Sequence, residues 1–145
     1  MQLAAVRILV VDDFEMFRQL VVELLGKRPE LQVVGEASDG LEALQKAVEL
    51  RPDLILLDIG LPSLNGIEVA RQMRSLVPES KIIFLTQETS ADVVQEALVL
   101  GARGYVTKAK AQADLFAAVE AVLSGKTFVS NLSNFNFPPE THFRH

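Results

Sequence analysis

The sequence contains no cysteine, which excludes disulfide bonds and thiolate metal sites and is typical of a protein in a reducing compartment. No uninterrupted apolar run approaches the roughly 20 residues that a membrane-spanning helix needs. Residues 1–6 lack a basic start and lead into Arg7 and then Asp12, a pattern unlike a secretory signal. These absences predict a cytoplasmic protein that does not attach to a membrane.

Basic residues are also scarce. The 14 Lys and Arg are outnumbered by 19 Asp and Glu, which gives a net charge of −5. Nucleic-acid binding usually requires a basic patch, and Lys108 and Lys110 are too few to form one. Direct binding of nucleic acid by this chain is therefore disfavoured.

The length and apolar content predict one folded domain. The chain has 145 residues, 49% of them hydrophobic, which is enough to build a core. We expect this domain to cover residues 1–130. Residues 131–145 are rich in Asn, Phe and Pro and show no clear period, so we expect a poorly ordered C-terminal extension.

Short apolar runs alternate with stretches of helical spacing. The runs are residues 8–11, 33–37, 54–57, 82–85 and 105–106. After each run, apolar residues recur with the three- and four-residue spacing of an amphipathic helix. Five continuous apolar strands joined by five helices predict an α/β fold, in which helices cover both faces of a parallel sheet.

Polar residues follow the predicted strands at their carboxyl ends. They are Asp12, Asp13, Asp58, Thr86 and Lys108. In open parallel sheets the ligand crevice lies at this edge, where the strand order reverses. Three carboxylates crowded together repel one another unless a proton or a cation intervenes, and an oxygen-rich cluster suits a hard ion such as Mg2+.

Each of these residues also has an ordinary structural interpretation. One Asp after a strand is a common helix N-cap, a strand-end Thr often bonds to nearby backbone, and a single Lys is usually solvated. Their combination favours phosphoryl chemistry. A carboxylate such as Asp58 can attack phosphorus, and a hydroxyl and a cation such as Thr86 and Lys108 can stabilise phosphoryl oxygens.

With these residues identified, the chain from about Arg7 to Val129 resembles the receiver domain of two-component response regulators. It is most similar to the subgroup whose members carry a helix-turn-helix output domain of the nitrate-regulator or quorum-regulator kind. The matching stretches are residues 8–13, 35–40, 56–58, Pro62 with 65–66, 85–86 and 101–108. The sequence after Val129 is too short to hold such an output domain, so we expect that domain to be absent here.

The resemblance implies a role for each matching residue. Asp58 is the phosphoacceptor for a histidine kinase, while Thr86 and Lys108 hold the phosphoryl oxygens. Asp13, Asp58 and the Gly60 carbonyl bind Mg2+ directly, and Asp12 contributes directly or through water. Tyr105 is an aromatic switch that turns inward when Thr86 moves.

The resemblance also implies a flavodoxin-like, doubly wound sheet with strand order 2-1-3-4-5. It implies a two-state signalling switch that binds a downstream protein partner, together with catalysis of its own phosphorylation and dephosphorylation. Phosphorylation is expected to promote a homodimer through the fourth helix, fifth strand and fifth helix. Two positions depart from the family pattern: Gln87 stands where a small residue is usual, and Leu61 replaces a Met. The larger Gln87 side chain is expected to crowd the phosphoryl site or slow its turnover.

Two other functions compete with a phosphorylation-controlled binding switch. The first is the receiver part of a DNA-binding transcription regulator whose output domain is missing. The second is a Mg2+-dependent phosphohydrolase, but such enzymes tend to have Asp-x-Asp after the first strand, whereas Asp12 and Asp13 are adjacent. A nucleotide-binding sheet would need a Gly-rich turn after Val11, and none is present.

Overall fold

The computed structural model describes residues 5–130, in which strands and helices alternate. The strands are β1 (Val6–Val11), β2 (Leu31–Ala37), β3 (Leu54–Leu57), β4 (Lys81–Thr86), β5 (Gly104–Thr107) and β6 (Phe128–Val129). The helices are α1 (Glu15–Leu25), α2 (Gly40–Leu50), α3 (Gly66–Leu76), α4 (Ala91–Val99) and α5 (Ala111–Leu123), and a 3-10 turn (Lys108–Lys110) precedes α5.

All strands pair in parallel, in the order β2-β1-β3-β4-β5-β6. The predicted doubly wound sheet, with order 2-1-3-4-5 and five helices, is therefore confirmed. After β1 the chain moves outward to β2 and then returns to the other side of β1 as β3. The crevice at the carboxyl ends of β1 and β3 is thus the point where the strand order reverses.

The apolar strands are continuous because both faces of the sheet are buried. Successive side chains in a strand point to opposite faces. Leu9 and Val11 belong to a core beneath helices α2, α3 and α4, whereas Ile8 and Val10 belong to a second core beneath α1 and α5. Each helix supplies one apolar face, which explains the helical spacing between the strands.

The short strand β6 was not predicted from the sequence. Gly125 adopts a left-handed conformation with φ +85°, and the chain then returns to pair Phe128 with Gly104 and Val129 with Tyr105. The Ser130 amide continues the pairing by donating to the Tyr105 carbonyl at 2.8 Å. A strand of two residues is too short to show any periodicity in the sequence.

Within residues 5–130, every helix is too short or too polar to cross a membrane. The expected C-terminal extension, residues 131–145, lies outside the described residues.

Candidate functional site

Three carboxylates lie together at the carboxyl ends of β1 and β3. These strands are neighbours, with Val11 in register with Leu57. The Asp58 amide donates to the Val11 carbonyl at 3.1 Å, which fixes one strand end against the other. As a result, carboxylate oxygens of Asp12, Asp13 and Asp58 lie within 4.8 Å of one another.

The three acids differ in exposure. Asp12 and Asp58 retain only 3% and 6% of their accessible surface, whereas Asp13 is exposed. Burial raises the pKa of the Asp12 carboxyl because it disfavours the charged form. Hydrogen bonds from Lys108 and from the Phe14 amide, the latter at 2.9 Å, oppose this rise but do not cancel it.

Lys108 supplies the cation that holds two of these acids together. Its Nζ lies 2.8 Å from Asp12 Oδ2 and 3.1 Å from Asp58 Oδ2. Burial lowers the pKa of the Lys108 ammonium, but its hydrogen bond to Asp12 and the charge of Asp58 raise it, and the net shift is upward. The ammonium also lies 4.7 Å from the centre of the Phe17 ring, a cation–π distance. Lys108 therefore stays protonated at the centre of the cluster.

The loop from β3 to α3 shapes the space around Asp58. The Gly60 amide donates to Asp58 Oδ1 at 3.2 Å, and the Gly66 amide donates to the Ile59 carbonyl at 2.7 Å. A Cβ atom at Gly66 would lie 2.2 Å from the Asp58 carbonyl oxygen, so a side chain there would displace the loop. Gly60 has open space around it and borders the crevice. Asp58 lines the same crevice as Gly60.

The loop after β4 connects Thr86 with Tyr105 through Glu88. Thr86 ends β4 in register with Thr107, the residue before Lys108. Its Oγ1 accepts a hydrogen bond from the Glu88 amide at 3.3 Å, and the Tyr105 hydroxyl donates to the Glu88 carbonyl at 2.7 Å. The Tyr105 side chain is fully buried. Tyr105 thus lies inward in this structure, with its hydroxyl bonded to the loop that also contacts Thr86.

An open pocket at this edge of the sheet exposes the cluster to solvent. Its lining residues are Asp13, Phe14, Asp58, Ile59, Gly60, Thr86, Gln87, Glu88, Thr89 and Lys108. Buried Asp12 lies behind the lining and contacts Lys108. The structure therefore brings together all the residues predicted for the metal and phosphoryl sites, with Tyr105 bonded to the pocket loop. Gln87 is exposed at the rim.

Two residues of α1 at this site were missed by the sequence reasoning. Phe17 contacts the Lys108 ammonium, and Arg18 donates from Nη1 to the Asp12 carbonyl at 2.7 Å. Phe17 fits the apolar three- and four-residue spacing of α1, which by itself indicates only core packing. The only sequence feature that could have indicated Arg18 is its position, about one turn into the helix that follows Asp12 and Asp13.

A family model described as the response regulator receiver domain matches residues 8–120. Among curated proteins, the chain is 40% identical over 126 residues to the DNA-binding transcriptional activator DevR/DosR of Mycobacterium tuberculosis. That match covers 87% of this chain and 58% of the relative. The chain thus spans less than two thirds of the length of this relative.

Solved structures show the same similarity. A two-component response regulator of the LuxR family from Aurantimonas sp. SI85-9A1 superposes with a TM-score of 0.83 at 35% identity, over 88% of this chain and 91% of that one. The receiver domain of the putative response regulator NarL from Mycobacterium tuberculosis gives 0.80 at 32% identity, over 86% of this chain and 100% of that one. The expected similarity to the nitrate-regulator and quorum-regulator subgroup is confirmed.

Proposed function

This chain belongs to the family of response regulator receiver domains, and from that premise we propose that Asp58 is its phosphoacceptor. The observation that carries the proposal is the position of the Asp58 carboxylate. It directly follows the central strand β3, contacts Lys108 at 3.1 Å, lies within 4.8 Å of two further carboxylates and borders an open pocket. A nucleophile, a fixed cation and a metal-binding set thus meet at one point that a phosphoryl donor can reach.

In the proposed reaction a carboxylate oxygen of Asp58 attacks the phosphorus atom of a phosphohistidine. The new bond is P–O, the bond that breaks is P–N, and the histidine leaves with the electron pair. The Lys108 ammonium stabilises the negative charge on the phosphoryl oxygens. The Thr86 hydroxyl accepts from the Glu88 amide at 3.3 Å and keeps its own proton to donate to a phosphoryl oxygen.

The donor set around Asp58 fits Mg2+, which receiver domains generally bind at an acidic pocket. The carboxylates of Asp12, Asp13 and Asp58 and the Gly60 carbonyl would hold the ion, and hard oxygen donors are those it prefers. When bound, Mg2+ neutralises charge on the transferring group. Asp12, Asp13 and Asp58 contribute three negative charges against the one positive charge of Lys108, and this excess favours binding of a divalent cation.

Transfer of the phosphoryl group changes the contacts of Thr86 and thereby acts as a switch. Phosphorylation adds negative charge and acceptor oxygens beside Lys108 and Thr86. If Thr86 moves toward the phosphoryl group, its bond from the Glu88 amide breaks. The Glu88 carbonyl also holds Tyr105, so this loop and the start of α4 rearrange. We propose that a partner reads this altered surface.

The proposed partners follow from the same chemistry. The phosphoryl donor is a histidine kinase, and the altered surface binds a downstream protein or a second copy of the chain. A dimer through α4, β5 and α5 would have to accommodate β6, which pairs with β5. Sedimentation with and without Mg2+ and beryllium fluoride, which mimics the phosphoryl group, tests this dimer. We expect a larger species only when Mg2+ and beryllium fluoride are both present. We propose that the chain acts in the cytoplasm, where kinases of this kind release their phosphoryl groups.

A second candidate function differs only in the output. The relative DevR/DosR is named a DNA-binding transcriptional activator, and this chain covers 58% of it. The same switch would then form the receiver part of a longer regulator. Because the net charge is −5, we propose that the present chain itself binds no nucleic acid. Fluorescence anisotropy with a labelled duplex, before and after phosphorylation, tests this statement.

The experiment that tests the proposed function is incubation with acetyl phosphate and Mg2+, followed by intact-mass measurement. Wild type is expected to gain one acid-labile phosphoryl group, and to gain none when Mg2+ is removed by a chelator. Asp58→Asn should gain none, whereas Asp92→Asn, which alters an exposed acid of α4, should behave as wild type. Equal labelling of Asp58→Asn and wild type would overturn the assignment.

A further inference from the structure

Arg18 joins three elements directly behind the acidic cluster. Its side chain is 15% exposed, which is low for an arginine on the surface of a helix. Nη1 donates to the Asp12 carbonyl at 2.7 Å, and Nε pairs with Glu36 Oε1 at 2.8 Å. One guanidinium thus ties α1 to the end of β1 and to β2.

The bond from Arg18 acts on the peptide group between Asp12 and Asp13. The Asp12 carbonyl and the Asp13 amide share one rigid plane, so a contact that fixes the carbonyl oxygen also fixes the direction in which the chain enters Asp13. Asp12 has further support, because its carboxylate bonds to Lys108 and to the Phe14 amide. Asp13 is exposed, and the direction of its side chain depends more on the backbone.

We propose that Arg18 is a positioning residue for the metal site: by holding the Asp12–Asp13 peptide, it directs the Asp13 carboxylate toward the ion bound with Asp12 and Asp58. The inference rests on the proposed Mg2+ site and adds a residue that does not touch the metal. Partners that orient metal ligands from outside the coordination shell typically change metal affinity by about 10- to 100-fold when they are removed.

Considered by its charge alone, Arg18 should weaken Mg2+ binding, which is the opposite of the effect expected from positioning. Arg18 carries a positive charge beside an acidic cluster, so its removal should strengthen the attraction between the cluster and a cation. Loss of positioning should weaken that binding. The sign of the change in Mg2+ affinity therefore separates positioning from simple electrostatics.

Glu36 allows a separate test of a purely structural role. If Arg18 served only to tie α1 to β2, weakening its ion pair with Glu36 would have the same consequences as removing Arg18. Glu36→Gln neutralises that ion pair and leaves the bond from Arg18 to the Asp12 carbonyl available. This variant is therefore the matched control.

The experiment compares Arg18→Met, Arg18→Lys and Glu36→Gln with wild type by Mg2+ titration calorimetry and by the 1H–15N resonance of the Asp13 amide in metal-free protein. We expect Arg18→Met to raise the Kd for Mg2+ by about tenfold and to shift the Asp13 amide resonance. Arg18→Lys, which keeps one donor, should fall between Arg18→Met and wild type. Glu36→Gln should change the Kd less than Arg18→Lys does.

Mg2+ binding by Arg18→Met at or above wild-type affinity would overturn the inference, as would an Asp13 resonance that does not move. A loss in Glu36→Gln as large as that in Arg18→Met would assign the effect to the ion pair and also overturn it. If Arg18→Met does not fold, the test uses Arg18→Lys instead. A wild-type Kd for Mg2+ and an unshifted Asp13 resonance in Arg18→Lys would then overturn the inference. Failure of wild type to bind Mg2+ would instead refute the metal site, while the Asp13 resonance still tests the hold of Arg18 on the peptide.

Discussion

The ammonium of Lys108 lies 3.1 Å from Oδ2 of Asp58, close enough to form a charge-assisted hydrogen bond. The same ammonium bonds to Asp12, so one positive charge serves two buried carboxylates. An incoming phosphoryl group would bring new negative oxygens to this charge. Lys108 therefore stabilises the unmodified carboxylates and already lies where it can stabilise the phosphoryl oxygens of the aspartyl phosphate.

Replacement of Lys108 should make the stability of the fold more dependent on Mg2+. Without Mg2+, Lys108→Met leaves Asp12 and Asp58 facing each other uncompensated, and we expect a loss of about 3 kcal/mol in the free energy of unfolding. Mg2+ should restore more stability to this variant than to wild type, because ligand binding to the folded state adds to its stability. Urea unfolding with and without Mg2+ measures both effects, with Lys110→Met, at an exposed position, as control. Equal Mg2+ responses in Lys108→Met and wild type would contradict the proposed site.

The raised pKa of Asp12 predicts that its charge destabilises the metal-free fold. Because the pKa of the Asp12 carboxyl is higher in the folded than in the unfolded chain, its contribution to stability is fully present below the ordinary carboxyl pKa of 3.8. The contribution is lost as the pH rises through the folded-state pKa. Asp12→Asn avoids that loss. We expect it to be more stable than wild type at neutral pH without Mg2+, and the advantage should vanish in acid.

Urea unfolding of wild type and Asp12→Asn across a pH series tests this expectation. Asp92→Asn, at an exposed position, should show no comparable gain. The same Asp12→Asn protein should bind Mg2+ more weakly, since one carboxylate of the cluster is lost. Reduced stability of Asp12→Asn at neutral pH would show that the charged form of Asp12 is favoured in the fold.

Tyr105→Phe should loosen the loop before α4. The substitution removes the 2.7 Å hydrogen bond from the Tyr105 hydroxyl to the Glu88 carbonyl and leaves the ring in place. We expect a loss of about 1 kcal/mol in the free energy of unfolding, typical of one intramolecular hydrogen bond. Amide hydrogen exchange should also accelerate at Glu88, whose amide donates to Thr86. Unchanged exchange at Glu88 would mean that Tyr105 does not hold this loop.

Ser130 secures β6 against β5 and α5. Its hydroxyl donates to Asp114 Oδ2 at 3.0 Å and accepts from the Thr107 amide at 3.3 Å, and the residue is 2% exposed. Ser130→Ala should lower the free energy of unfolding by about 1–2 kcal/mol and accelerate hydrogen exchange at Thr107. Ser124→Ala, at an exposed position after α5, provides the control. The same exchange rate at Thr107 in Ser130→Ala and wild type would show that β6 is held by its backbone alone.

The strands and the clustered acids could be predicted because both follow from local sequence patterns. Continuous apolar runs identify buried parallel strands, and the residue after each run must lie at one shared edge, which unites Asp12, Asp58 and Lys108. The contact of Arg18 with the Asp12 carbonyl has no such pattern, since it depends on how α1 packs across the strand end. Strand β6 was missed because two residues carry no periodic signal and their pairing depends on the turn at Gly125.

The most direct test of the central claim identifies the residue that carries the phosphoryl group. Protein phosphorylated by acetyl phosphate and Mg2+ is reduced with borohydride, which converts an aspartyl phosphate to homoserine, and is then digested and sequenced by mass spectrometry. We predict homoserine at position 58 and at no other aspartate. Homoserine at position 12 or 13, with Asp58 unmodified, would contradict the account.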